Sequence, residues 1–324
     1  MQKSNLHNSF ELLKTTSLGS QYSELFSKKN KLVKDSDFFK DNGLLLEINE
    51  SPGSVIYVDH VLSKKKPIGK PHFFVIKKNV KVVVLERVIG GVENISAAQS
   101  LSDFWVLEEG ANMSHYWISG GESGGVVTQN KTIYQNKNSE LSMFSVFCHN
   151  TSVFNNIGVE LSGKNALCRL NSISLLRQKS EVKHNIKIWH NSSNCTSEQL
   201  YKGVYSDSST GYFDSVVVVE KDSQKTIAKQ KNNNLLLSER ANVQSNPQLE
   251  IFADDVECAH GSTIGQVSEE ALFYLRSRGI CLDVARKLLT SAFLNEVVEK
   301  IGHKEIADEV DVVLSGQLDG LYLQ

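Results

Sequence analysis

The sequence predicts a mainly β chain. Short strands are stacked over 46–265, after a short, partly helical segment over 1–45 and before a small α-helical domain over 266–324. Three observations carry this. From about residue 46 to Ala259, short β-rich runs alternate with Ser, Asn and Gly turns, with no helical period and very little Pro. Within that region Phe74–Val80 aligns with Trp105–Ala111, and Gly90 and Gly121 keep the same offset, as stacked repeats would. Only after Ser268 does the apolar period change to three and four residues.

In the N-terminal segment, Ser9–Lys14 and Tyr22–Lys28 read as short helical turns. The strand candidates then follow: Ser54–Asp59, Phe73–Lys77, Val80–Glu86, Phe104–Leu107, Val126–Tyr134, Leu141–Phe147, Ile186–His190, Val216–Glu220, Leu235–Leu237 and Leu249–Phe252. No crossover helices separate them, which argues against an α/β fold. Repeated units that bury their faces on neighbours suggest a β-solenoid, with a sandwich as the competitor. At the C-terminal end Ser268 is a helix N-cap, Glu269 and Glu270 follow where the helix dipole favours acids, and Gly279 ends the helix. A longer helix is expected over about 283–301. In it Ala285, Leu289, Phe293, Val297 and Ile301 form one row beside Val284, Leu288 and Ala292. Ile306, Val310 and Val313 suggest a last short helix. So wide a stripe needs a mate, either the rest of this chain or another protein.

Formal net charge is −2, and the run Lys64-Lys65-Lys66 before Pro67 reads as a solvated loop, so neither nucleic acid nor an anionic membrane is expected as main partner. No apolar run reaches the ~18–20 residues that span a bilayer. The N-terminus has no apolar core of a secretory signal, and the five cysteines form an odd set without a C-x-x-C pair. A cytoplasmic protein with reduced thiols is the expectation.

Several patterns suggest chemistry. Gly121-Glu122-Ser123-Gly124-Gly125 matches the G-x-S-x-G elbow, but a strand-like run follows where a helix is required, so a turn is expected. Gly163-Lys164-Asn165 lacks the remaining parts of a phosphate loop. Asp254 and Asp255 are adjacent and read as a solvated turn, not as paired catalytic acids. His184, and His190 with Cys195, have no standard ligand spacing. Cys258 and His260 are different. Two residues apart on a strand, they point to one face, and thiolate with imidazole suits iron–sulfur and zinc sites. The strand is expected to end there, with turns at Gly261 and Gly265. Two ligands close no four-coordinate site, so either a partner supplies the rest or both residues are structural.

The segments His190–Val204, Asn233–Ser238 and Pro247–Val256, leading into Cys258-Ala259-His260-Gly261, resemble the SufB/SufD family of iron–sulfur cluster assembly scaffolds, in its SufD form. The likeness runs from about residue 70 to about 302. Leu275 stands where SufB-type chains carry a cysteine, and Ala259 replaces the commoner Ser. The region before the β-rich part is short beside many SufD chains. The resemblance implies a right-handed parallel β-helix followed by a small helical domain. It further implies a non-catalytic subunit that pairs with a SufB-type paralogue and docks a SufC-type ATPase, with homodimers left open. His260 would face a SufB cysteine at that interface, with Cys258 beside it, and His260 would share a metal or transient iron–sulfur cluster there, with none held stably. Leu272, Val284, Leu288, Leu289 and Phe293 would fall in the ATPase-docking region. The alternatives are a SufB-type scaffold and a β-helix enzyme acting on carbohydrate, which would need convergent carboxylates or basic residues on one face.

Overall fold

The computed structural model describes residues 10–14, 44–61, 72–89, 99–121, 126–149 and 152–322. Lys64–Lys66, Tyr22–Lys28 and Glu122–Gly125 lie outside the described residues. The strands form two sheets. One holds β1 (Phe10–Lys14), β2 (Leu44–Ile48), β4 (His72–Ile76), β6 (Gln99–Leu107), β8 (Val126–Gln135), β10 (Ser152–Leu161), β12 (Glu181–His190), β14 (Thr210–Val219) and β16 (Asn242–Ile251) in that order. The other, read from its C-terminal edge, runs β17 (Val256–Gly265), β15 (Thr226–Leu236), β13 (Thr196–Tyr205), β11 (Leu167–Leu176), β9 (Glu140–His149), β7 (Asn112–Gly121), β5 (Lys81–Ile89) and β3 (Ile56–Val61). Each strand from β2 onward pairs in parallel with the strand two places along, so the chain winds alternately through both sheets as a solenoid. The sandwich is thereby excluded.

The internal echo is one rung of this ladder: Phe74 pairs with Trp105 and Val75 with Val106. Contacts between successive coils join residues 31 apart (Lys77 and Glu108), 28 apart (Asp103 and Lys131), 26 apart (Asn130 and Asn156) and 32 apart (Asp214 and Asn246). Coil length therefore varies at the corners, which is why the repeat is faint in the sequence.

One corner is built the same way coil after coil. Asn79, Asn138, Asn165 and Asn194 hold φ of 57–60°, the left-handed region that Asn tolerates, and Asn165 Nδ2 donates to Asn138 Oδ1 at 2.9 Å. Gly110 takes this place in the coil between Asn79 and Asn138, with φ of 70°. Gly163, of the Gly-Lys-Asn segment, lies at this corner too. A Cβ there would come within 1.9 Å of Lys137 N, so the glycine serves close coil stacking and not a phosphate.

The N-terminal strand corrects an expectation. Residues 10–14 are extended and pair antiparallel with β2, Phe10 opposite Ile48, where a helical turn was expected. An open sheet edge offers a full row of hydrogen bonds that a single isolated turn cannot match.

Inside the solenoid, alternate residues of both sheets meet in an apolar core that includes Ile76, Trp105, Ile133, Ile157 and Val217. A charged group sits within it. Lys131, 3% exposed, reaches Asp103 Oδ2 at 2.6 Å and Glu86 Oε2 at 3.3 Å, between the faces of Trp105 and Trp117. Burial disfavours its charge, but the fields of Asp103 and Glu86 prevail and raise its pKa.

Three helices follow β17. In α1 (Glu269–Ser277) the Ser268 Oγ accepts from the Ala271 N–H, and Gly279, at φ of 85°, terminates the helix as expected. α2 (Leu282–Val298) matches the expected long helix. The last element differs: α3 spans Lys304–Tyr322, nineteen residues where a short helix was expected. Its buried row, Ile306, Val310, Leu314 and Leu318, continues beyond the expected residues and joins Leu294, Val297 and Val298 of α2. Together they cover the outer face of the second sheet against Tyr116, Phe144, Val146, Ile173 and Val204. Among the described residues, no helix is long and apolar enough to cross a membrane.

Candidate functional site

The solenoid ends at β16 and β17, each an edge strand of its sheet. The register decides where their side chains point. Gln230 and Ala228 of β15 are buried inside the solenoid, and they pair with His260 and Cys258 of β17. Cys258 and His260 therefore both face inward on the last rung, as their spacing predicts. Across the interior, Ser262 Oγ donates to Ser245 Oγ of β16 at 2.8 Å. Cys258 is half-buried and touches the interior apolar core, whereas His260 is exposed. Burial raises the Cys258 thiol pKa, opposed by a backbone hydrogen bond, with Glu257 adding to the rise. The thiol thus keeps its proton at neutral pH, and ligation must displace it.

One expectation about this strand is corrected. β17 does not turn at Gly261 but continues to Gly265, paired with β15 throughout, so the two ligand-type residues lie within the strand and not at its end. Gly261 carries no positive φ, and a Cβ there would meet nothing within 4 Å. Its ladder bonds to β15 hold it extended. Asp254 and Asp255 are exposed in the bend between β16 and β17.

His184, His190 and Cys195 are core groups. His184 sits between Asn155 Nδ2 at 3.2 Å and Ser174 Oγ at 3.1 Å, and burial lowers its pKa to about 3. His190 Nε2 meets Ser197 Oγ at 2.8 Å, with its pKa lowered to about 4 by burial. Cys195 Sγ donates to the Gly163 carbonyl at 3.2 Å, at the corner. Neutral, enclosed and hydrogen-bonded, these groups stabilise the solenoid and do not converge on a site. Among the described residues, no three His, Cys, Asp or Glu side chains converge to hold a metal.

The family described as "SUF system FeS cluster assembly, SufBD core domain" matches residues 61–293 of this chain. The chain belongs to the SufB/SufD family. Over 178 residues it is 37% identical to the iron-sulfur cluster assembly protein SufD of Escherichia coli (strain K12), covering 54% of this chain and 40% of that protein. Over 265 residues it is 29% identical to the chloroplastic protein ABCI7 of Arabidopsis thaliana, covering 79% of this chain and 54% of that protein. A Plasmodium falciparum protein named SufD is 26% identical over 250 residues, 75% of this chain and 17% of that protein. The chain thus spans about half, or less, of the length of these curated relatives.

Within this SufB/SufD chain, the helical residues marked by the sequence separate into two groups. Leu272 is buried, 4% exposed, and Phe293 packs against the cluster on the outer sheet face, so these two hold the helices in place and offer little to a partner. Leu288 is 47% exposed, with Val284 and Leu289 half-buried. Phe273 and Tyr274, outside the set that the sequence marks, are 75% and 56% exposed on α1. With Leu275 and Leu289 they line an open groove between α1 and α2. Their signal was available: they follow Leu272 by one and two residues, about 100° and 200° around the helix, so they point away from the face that it buries.

Lys202 joins this helical layer to the solenoid. Its Nζ donates to the Phe293 carbonyl at 2.6 Å, pairs with Glu296 and lies 4.3 Å from the centre of the Phe293 ring, all beneath α2. Lys202→Ala is expected to cost about 1.5–3 kcal/mol, the worth of a hydrogen bond to a charged group. Glu296, 44% exposed and shared with Lys231, adds little. Faster amide exchange confined to α2 and α3 is the expected reading. Unchanged exchange there would show that the apolar contacts alone seat the layer.

Proposed function

We propose that this chain is a SufD-type, non-catalytic scaffold subunit of a cytoplasmic SUF iron–sulfur assembly complex. It pairs with a SufB-type paralogue through the open solenoid end, and the exposed face of α1 and α2 docks a SufC-type ATPase. The observation that carries this reading is the placing of Cys258 and His260 together on the inner face of an edge strand, paired on one side with β15. A sheet edge has a row of free backbone donors and acceptors suited to adding another chain's strand. A soft thiol and an imidazole at that edge are half of a four-coordinate set, to be completed across the junction. The cluster is cargo, built at the junction and passed on. ATP hydrolysis in the partner would move the two scaffolds relative to one another and open the ligands to acceptors. The apolar groove with Phe273, Tyr274 and Leu289 supports the docking surface, since a large exposed apolar patch marks an interaction site.

The test is co-expression with SufB-type and SufC-type partners, followed by cluster reconstitution, with wild type and His260→Ala compared. Both should enter the complex, and only the wild type should support cluster formation. Equal reconstitution would remove His260 from the site while leaving the scaffold in place. Absence of any complex would overturn the partner reading, and ATP hydrolysis by the chain alone would contradict its non-catalytic role.

A further inference from the structure

The interior column that ends at His260 changes character just beneath it. Rung by rung in one inward column, the second sheet places His115, Met143, Leu170, Gln199, Gln230 and His260. Met143 and Leu170 belong to the apolar core, and the two rungs nearest His260 are glutamines. Both are buried, each 3% exposed, where an apolar side chain would serve packing as well.

Their hydrogen bonds leave one atom over. Ser215 Oγ donates to Gln199 Oε1 at 2.8 Å. A hydroxyl has a single proton, so towards Gln230 it is an acceptor, and Gln230 Nε2 donates to it at 2.8 Å. The Gln230 amide is thereby oriented, with its nitrogen committed to Ser215 and its carbonyl Oε1 buried without a partner among the described residues. The next residue along the column, about 4.8 Å away as adjacent strands are spaced, is His260.

We propose that Gln230 is the positioning residue for His260. Its Oε1 accepts the imidazole N–H, so that the ring presents its other nitrogen, lone pair free, to metal at the open edge. A neutral imidazole donates through one nitrogen and accepts through the other, so fixing the donor side also fixes the ligating side. Buried amide and carboxylate partners do this for metal-binding histidines generally. Ser215 and Gln199 act behind Gln230, keeping its carbonyl turned towards the edge. This inference rests on the reading of His260 as a ligand, and its test separates the two.

The test uses the full chain labelled with ¹⁵N-histidine, in which the nitrogen shifts of His260 report its tautomer, with His260→Ala identifying the signal. Wild type is expected to hold one tautomer in tenfold or greater excess. Gln230→Leu, which removes the acceptor, should bring the ratio to that of free imidazole, while Gln230→Glu, which keeps an acceptor, should retain the excess. A matching thermal melt for each variant shows that the fold is kept. In reconstitution with the SufB-type partner, Gln230→Leu should slow cluster formation by about 10–100-fold and Gln230→Glu by much less. If wild-type His260 already shows the ratio of free imidazole, or if Gln230→Leu leaves it unmoved, the proposal is overturned. In that case Gln199 Nε2, one rung deeper and also without a partner among the described residues, is the donor to Gln230. A fixed tautomer together with unimpaired reconstitution by His260→Ala upholds the Gln230–His260 bond and removes instead the cluster role of the histidine.

Discussion

Lys131→Ala is expected to destabilise the chain by about 3–5 kcal/mol, the cost of breaking a buried ion group by removing one partner. Lys131 reaches both Glu86 and Asp103 at the middle of the interior, while His72 Nδ1 lies 3.4 Å from Asp103 Oδ1 and His115 Nε2 lies 3.1 Å from Glu86 Oε1. His115 does not substitute for it, because burial lowers the His115 pKa and leaves the ring neutral. Without the lysine, two carboxylates that are 1% and 3% exposed lose their main counter-charge, and Trp105 and Trp117 lose the cation between them. Denaturant titration followed by tryptophan fluorescence reads this directly, since both rings border the lysine. A shift below about 1 kcal/mol would mean that water enters the interior and solvates the acids. The triple change Lys131→Met, Glu86→Leu and Asp103→Leu should recover most of the loss, as apolar replacements of buried ion groups do elsewhere.

Leu294→Ala should cost about 2–5 kcal/mol. Leu294 is 1% exposed on α2, among Val297, Val310 and Leu314, and against the sheet residues of the outer cluster. The cavity left there cannot close easily, because a regular sheet forms one wall and two helices form the others. The loss should appear first as opening of the helical layer, with limited proteolysis cutting within α2 and α3 before β5–β15 give way. If cleavage and global unfolding coincide, the layer and the solenoid are one cooperative unit. In either case docking at the α1–α2 groove should weaken, because that groove keeps its shape only while α2 is seated.

Much of this was legible before any coordinates. The alternation of apolar and polar residues in Val126–Gln135 gives an unbroken inward–outward pattern, and the strand expected there agrees with β8 to within one residue. Strands were missed where the alternation is interrupted on both faces. β10, β11 and β13 each have consecutive buried residues, Ile157–Val159, Ser172–Leu176 and Tyr201–Tyr205, because there the outward face is covered or crowded as well as the inward one. Alternation is weak in such stretches, and β9, which has one at Met143–Cys148, is legible instead from its Leu, Met, Phe and Val residues. A different cause hid the length of α3: Leu314 and Leu318 extend the buried row past Val313, where the sequence shows scattered Gly, Ser and Asp that read as a helix end. At the candidate site, the i, i+2 spacing of Cys258 and His260 was enough to put them on one face, since that follows from strand geometry alone. Which face, and above which neighbours, was not legible.

The sequence by itself determined the β class, the place where helices begin, the one-rung echo between Phe74–Val80 and Trp105–Ala111, and the motifs that mark the SufB/SufD family. These are local properties, set by dihedral preference, side-chain period and residue type within a short window. Only the tertiary structure decided that Cys258 and His260 face the interior above Ala228 and Gln230, that Lys131 meets Glu86 from 45 residues away, and that Leu272 and Phe293 are spent on internal packing while Phe273 and Tyr274 are not. Each of these depends on register between strands thirty or so residues apart, on coils of unequal length. The corners take up coils of 26 to 32 residues while the strands stay in register, so which residues stack depends on every corner passed, and no local window of sequence records that sum.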